Sequence, residues 1–271
     1  EEGIELKRIH GADKVFDLSL GNPVLEPPSE FVTELTRLAT DEVPGAHGYM
    51  PNAGYPDVRA AVAETLARES EYAFTGEEII MTCGAAAAVN VTFKSILDPG
   101  DEVVIIAPYF GEYFFYVDNH GGQAVVAESD EGFQPDLGSL SAALTERTRA
   151  VLINSPNNPT GVIYPESTLI GIASVIQDAE KRFGTEIFLV SDEAYRKLIY
   201  SNEAYPLIYS YHERSVVVTS HSKDLGLAGE RIGYIAVNPN YADRGDFVDA
   251  AIFANRTLGF VSAPALMQRV V

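Results

Sequence analysis

Short runs that are apolar at every position constrain this chain more than any other feature. Val103–Ile106 and Val216–Val218 are too short for helices, and such runs recur between segments of helical period. A strand that is apolar on both faces must be covered on both, as in a mostly parallel sheet flanked by helices. Strands are predicted at Glu78–Thr82, Glu102–Ala107, Ala150–Asn154, Glu186–Ser191 and Ser215–Ser220, with a further one at Arg231–Val237. The fold class expected is α/β, a three-layer αβα sandwich.

The covering layers are legible from spacing and punctuation. Pro165 opens a segment with Leu169, Ile172, Ile176, Ala179 and Phe183 on one face, and Gly184 closes it. Pro56 opens a second helix that should bury Val58, Val62 and Leu66, and Asp136 can cap a third that buries Leu137, Leu140 and Leu144. Residues 84–96, small and apolar after a glycine, read as a helix leaving the first strand. Residues 1–44, with turn chemistry at Gly21–Pro23 and Pro27–Pro28, are expected to be an arm laid over a body comprising 45–271.

Composition narrows the function. Asp and Glu number 39 against 19 Lys and Arg, a formal charge of -20, and such a surface repels a phosphate backbone, so nucleic acid is not an expected partner. Cys83 is the one cysteine, which excludes an intrachain disulfide and a Cys-rich metal site and makes a reducing cytoplasm the natural setting. The five histidines show no paired metal spacing, so no metal is expected. No apolar run is as long as a membrane span.

Four segments that follow predicted strands carry the chemistry. In Ser220–Tyr234, Lys223 comes directly after a buried strand among serines and glycines, and strand ends facing a crevice are where open α/β sheets bind ligands. A buried lysine tends to lose its proton and become nucleophilic, while Ser220, Ser222 and Arg231 are donors suited to a phosphate. An amine nucleophile beside a phosphate site suggests pyridoxal phosphate; an ordinary lysine on a surface loop is an equally good reading of this segment alone. Asn154–Gly161 is either a tight turn or a source of amides for a ring oxygen. Ser191–Tyr195 places Asp192 at a strand end, either as a helix cap or as a buried acid that needs a cationic partner. Thr82–Ala88 is a strand–glycine–helix junction whose free amides make an anion site. A bland domain has no reason to deliver backbone donors, an Asn amide, a carboxylate and a lysine from four strand ends.

With these motifs in this order, from Gly21 to about residue 264, the chain resembles the class I/II aminotransferases of pyridoxal-phosphate fold type I, the aspartate aminotransferase superfamily. The resemblance implies pyridoxal 5'-phosphate as cofactor, with Lys223 forming the internal aldimine and Asp192 paired to the pyridine nitrogen. It implies that Asn158 and Tyr195 contact the ring oxygen and that Phe110 stacks on the ring. The phosphate would be held after Gly84 by the amides of Ala85 and Ala86, and by Ser220, Ser222 and Arg231. Gly21, with Asn158, would lie near the substrate carboxylate. Tyr49 would reach the phosphate of a neighbouring subunit, which implies a homodimer. The activity implied is exchange of amino and oxo groups between an L-amino acid and a 2-oxo acid.

The stretch Lys223–Gly229 also resembles aminocyclopropane-carboxylate synthases, which would make the chain a lyase on the same cofactor. A third reading is the aminotransferase-like, non-catalytic sensor domain of certain bacterial transcription factors. Complete family members continue into a small carboxy-terminal domain that carries the arginine gripping the substrate α-carboxylate, so that residue is expected beyond Val271. Phe253 falls roughly where some relatives carry an arginine, and Arg256 nearby reads as a surface charge. Tyr113 and Tyr116 read as packing, with lining of the substrate pocket as the second reading, Cys83 as a small buried residue, and His221 as packing rather than as a base.

Overall fold

A computed structural model describes residues 2–16, 21–41, 43–70, 72–200 and 205–271. Among them, seven strands form one sheet: β1 (Ile79–Thr82), β2 (Glu102–Ile106), β3 (Gln123–Ala127), β4 (Thr148–Asn154), β5 (Phe188–Asp192), β6 (Ser215–Ser220) and β7 (Gly233–Val237). Their order is β1-β7-β6-β5-β4-β2-β3, and β7 alone runs antiparallel to its neighbours. The carboxyl ends of the other six therefore share one edge, and the chain enters β7 at that same edge.

Alternation along each strand divides the core in two. Met81, Val104, Ile106, Val151, Ile153, Leu189 and Val217 point to one side, where they meet α3 (Pro56–Ser70), α6 (Leu137–Ala143), α7 (Glu166–Phe183) and α9 (Ala265–Val270). Ile80, Val103, Ile105, Leu152, Val190, Val216 and Val218 point to the other, against α4 (Gly84–Ile96), α5 (Tyr113–Asp118) and α8 (Arg244–Thr257). Each such side chain contributes about 1.5–3 kcal/mol on burial. This two-sided covering is the αβα sandwich predicted from the all-apolar runs.

The punctuation works as anticipated. Gly184 ends α7 in the left-handed conformation at φ 68°, and Asp136 caps α6 by accepting from the Ser139 amide at 2.8 Å. Leu137, expected in the core, is 37% exposed. It lies at the first helical position and packs on α7 at Gly171, where a β-carbon would approach it within 2.6 Å. Val58 and Val62 are only half-buried, and Ala63 joins Leu66 as the deep contact of α3.

Several elements are additions to the predicted set. The edge strand β3 is largely uncovered, and its apolar run Ala124–Ala127 is half alanine. In the amino-terminal segment, α1 (Glu2–His10) buries no residue, whereas α2 (Ser29–Thr40) rests Phe31 and Leu35 on the core. Between them and the body, the chain at Leu25 runs so close to Gly226 that a β-carbon there would lie 2.8 Å from the Leu25 carbonyl oxygen. No helix among the described residues is long and apolar enough to cross a membrane.

Candidate active site

The residues singled out from four separate segments meet at the shared carboxyl edge. Gly233, the first residue of β7, pairs with Thr82 at the end of β1 and with Ser220 at the end of β6. β6 passes so close that a β-carbon on Gly233 would lie 2.3 Å from the Thr219 carbonyl oxygen, so only glycine fits. Arg231, two residues earlier, is thereby placed between the two strand ends. Its backbone is held at φ 53°, a region that side chains other than glycine seldom adopt, and its Nη1 donates to the Ala228 carbonyl at 3.0 Å. The same guanidinium faces the first turn of α4, where Gly84 turns the chain at φ 80° and Ala85 and Ala86 follow half-buried. First-turn amides have no partner inside a helix, so this corner joins backbone donors to a fixed cation. Ser220 and Ser222 are buried beside it, and the Ser222 amide donates to the Ser220 hydroxyl at 3.4 Å.

Asp192 ends β5 on the side of the sheet faced by α5, as its alternation with Val190 requires. It is buried, and its carboxylate accepts from the Tyr113 hydroxyl at 2.8 Å and from the Ala194 amide at 3.2 Å. Burial pushes its pKa above the ordinary value, and these two donors pull it back. The main-chain oxygen of Asp192 accepts from the side-chain amide of Asn154 at 2.9 Å, while Oδ1 of Asn154 accepts from the Asn158 amide at 2.6 Å. Asn154 thus fixes the loop that presents Asn158, whose Nδ2 donates to the Tyr195 hydroxyl at 3.4 Å. Asn157 closes the same loop by accepting from the Thr160 hydroxyl at 2.8 Å and donating to the Pro108 carbonyl at 3.2 Å. That second bond ties it to the segment bearing Phe110, which stands edge-on to Tyr113 with centroids 5.5 Å apart.

Lys223 is half-buried, with Nζ 5.9 Å from the centre of the Tyr195 ring, and it donates to the carbonyl oxygen of Gly21. Burial and then the charge of Arg231 hold its pKa below the ordinary lysine value. Of the residues anticipated from sequence, Lys223, Tyr195, Asn158, Asp192, Phe110 and Gly21 are linked through these contacts, and Gly84, Ser220, Ser222 and Arg231 form the adjoining anion corner. Tyr49 is not drawn in within this chain and is 97% exposed. Tyr113 and Asn154 join this network beyond the expected set: Tyr113 belongs to none of the four strand-end segments, and Asn154 lies inside the Asn154–Gly161 motif without a role of its own there.

Other candidates fall outside this cluster. His221 Nδ1 lies 3.1 Å from Asp224, on the wall of a cavity of about 780 Å³ between the sheet and α2, α3 and α9. Of the anticipated cofactor ligands only Ser220 lines that cavity, so it is not the site described above. Arg256 is exposed at the end of α8, and Phe253 is 68% exposed. Among the described residues no group of three metal-ligating side chains is assembled.

Comparison with known proteins decides the family. The profile for aminotransferase class I and II matches residues 13–271. The chain belongs to the class I and II aminotransferases. Pyridoxal phosphate is the cofactor of that family. The aspartate/prephenate aminotransferase of Thermus thermophilus is 38% identical over 235 residues, which are 86% of this chain and 58% of that relative. The chain thus spans little more than half the length of that aminotransferase. An aminotransferase structure from Eubacterium rectale superposes with a TM-score of 0.96 at 36% identity, covering 99% of this chain and 68% of that one. The aspartate aminotransferase of Thermus thermophilus with maleate gives 0.84 at 32% identity, covering 99% and 66%.

Proposed function

We propose that this chain is the cofactor-binding part of a pyridoxal-phosphate-dependent aminotransferase that exchanges amino and oxo groups between an L-amino acid and a 2-oxo acid. The observation that carries the reading is the meeting of a lysine of lowered pKa, a buried carboxylate and an arginine-lined helix start on one sheet edge. The donor set fits the cofactor: an amine for its aldehyde, an acid for its ring nitrogen, and a cation with free amides and hydroxyls for its phosphate. When bound, the cofactor supplies an electron sink for the pair released as the substrate Cα–H bond breaks.

The protein supplies the rest. Arg231, Ser220, Ser222 and the amides of Ala85 and Ala86 would hold the phosphate dianion, charge against charge. Phe110 would cover the ring, and Asn158 and Tyr195 would orient its oxygen. Asp192 would keep a proton on the ring nitrogen. Lys223 would hold the cofactor through Nζ, and as a free amine would take and return the substrate proton at that same atom, a task favoured by its lowered pKa. Gly21, already in contact with Nζ, belongs with Asn158 on the substrate side. Residues 1–44 would act as an arm over the body 45–271, and exposed Tyr49 would reach the site of a second copy in a homodimer. The relatives named for aspartate make an acidic amino acid the first donor to try.

Borohydride reduction of the loaded protein, followed by peptide mapping, tests the assignment. The pyridoxyl group is expected on Lys223. Its appearance on Lys94 or Lys197 would overturn the reading.

A further inference from the structure

We propose that Tyr113 is a positioning residue that keeps Asp192 ionised and aimed toward the ring nitrogen; the proposal rests on the role given to Asp192 above. The two side chains come from segments 79 residues apart and meet at 2.8 Å, with Tyr113 only 2% exposed. A phenol has one proton to donate and a carboxylate has only acceptors, so the direction of this bond is set by chemistry. Burial and the neighbouring carboxylate hold the Tyr113 hydroxyl well above its ordinary pKa, so it remains a donor throughout the range in which Asp192 titrates.

The surroundings leave this task to Tyr113. The Tyr116 hydroxyl, also from α5, is engaged by Glu112 at 2.6 Å. The Tyr195 hydroxyl accepts from Asn158 at 3.4 Å and, among the described residues, makes no hydrogen bond to Asp192, while Glu193 is held largely protonated by burial. The Ala194 amide is the other donor, at the longer distance of 3.2 Å. Tyr113 also braces Phe110 edge-on, so the start of α5 supports both the residue expected against the ring face and the acid expected at the ring nitrogen. A carboxylate buried without such a donor would draw the ring proton to itself and weaken the electron sink.

The test is the titration of Asp192 in the cofactor-free 271-residue protein, followed by the side-chain carboxyl ¹³C resonance that disappears in Asp192→Asn. Tyr113→Phe deletes only the hydroxyl, and its expected effect is a shift of the ionisation equilibrium about tenfold toward the acid form. Placing 3,5-difluorotyrosine at position 113 makes a stronger donor of nearly the same shape and should move the midpoint the other way. Opposite shifts identify hydrogen-bond donation, because a packing defect has no reason to change sign. An unchanged midpoint in both folded variants overturns the proposal, and if Tyr113→Phe fails to fold, the fluorinated protein decides alone. Loading with ring-¹⁵N pyridoxal phosphate separates the other failure: an unprotonated ring nitrogen in the wild-type protein removes the role of Asp192, and the proposal falls with it.

Discussion

A β-carbon on Gly84 would lie 2.8 Å from Nη2 of Arg231. The start of α4 and the guanidinium are therefore in contact with no room between them, and the two sides of the anion corner act as one surface. Gly84→Ala should weaken binding of pyridoxal phosphate about tenfold or more, because it displaces Arg231 and adds a side chain at φ 80°. Gly100→Ala is the control, since Gly100 has φ 92° with no heavy atom within 4 Å of the added carbon. It should lose about 1–2 kcal/mol of stability in a denaturant titration with cofactor affinity unchanged. Equal loss of affinity in both variants would mean that backbone strain, not the corner itself, is responsible.

Asn154 joins two functional segments through one amide. Its replacement by alanine leaves the Asn158 amide and the Asp192 carbonyl without their partners in a buried place, at a cost of about 1–3 kcal/mol for each orphaned group. Asn154→Asp keeps the acceptor for Asn158, loses the donor to Asp192, and adds a second carboxylate beside it. Thermal denaturation should rank wild type above both variants, and cofactor binding should suffer more in the aspartate variant if charge near Asp192 matters.

How much of this was legible depended on whether the signal was local. The strands announced themselves because both sheet faces are covered, so runs such as Val103–Ile106 carry no polar residue. Helix α7 was readable to within a residue, since Pro165 and Gly184 bracket a regular stripe. Lys223 and Asn158 were readable because they follow strand ends, Asp192 because it ends a strand and Arg231 because it leads into β7 at the same edge, where an open sheet leaves its crevice. What stayed hidden depends on partners distant in sequence. Tyr113 has meaning only against Asp192, and Leu137 was misjudged because its neighbour Gly171 belongs to another helix. Edge strand β3 offers only the short run Ala124–Ala127, half of it alanine, which is a weak strand former.

Arg231 acts on Lys223 as well as lying against the start of α4. Its charge is the second cause, after burial, of the lowered lysine pKa. Arg231→Gln should therefore return the Lys223 amine toward the ordinary lysine range. Competitive labelling of the cofactor-free protein with an acylating reagent at stepped pH would show this as a later onset for Lys223, with exposed Lys181 unmoved. An unchanged onset would assign the whole shift to burial.

Glu193 supplies a pH dependence of stability whose sign follows from its burial. Its carboxyl is 2% exposed, and among the described residues neither oxygen has a hydrogen bond of good geometry, although the Tyr205 and Ser191 hydroxyls are near enough to favour its charged form. Arg196 stands 3.5 Å away, but its other terminal nitrogen is held by Glu69, so the guanidinium is shared and burial dominates. The pKa is pushed from 4.5 up to about 8. Between those values the folded protein keeps a proton that the unfolded chain releases, so stability falls as pH rises, by up to about 1.4 kcal/mol per pH unit. Above the folded pKa the loss levels off. Glu193→Gln keeps the shape, carries no titrating proton and should remove this slope. The difference between wild type and variant, from urea titrations at pH 5, 6, 7 and 8, isolates Glu193 from other groups that titrate in the same range, such as buried His212. A difference that stays flat across the window would mean that Arg196 keeps Glu193 ionised in the folded protein, and that the pair rather than burial sets its charge.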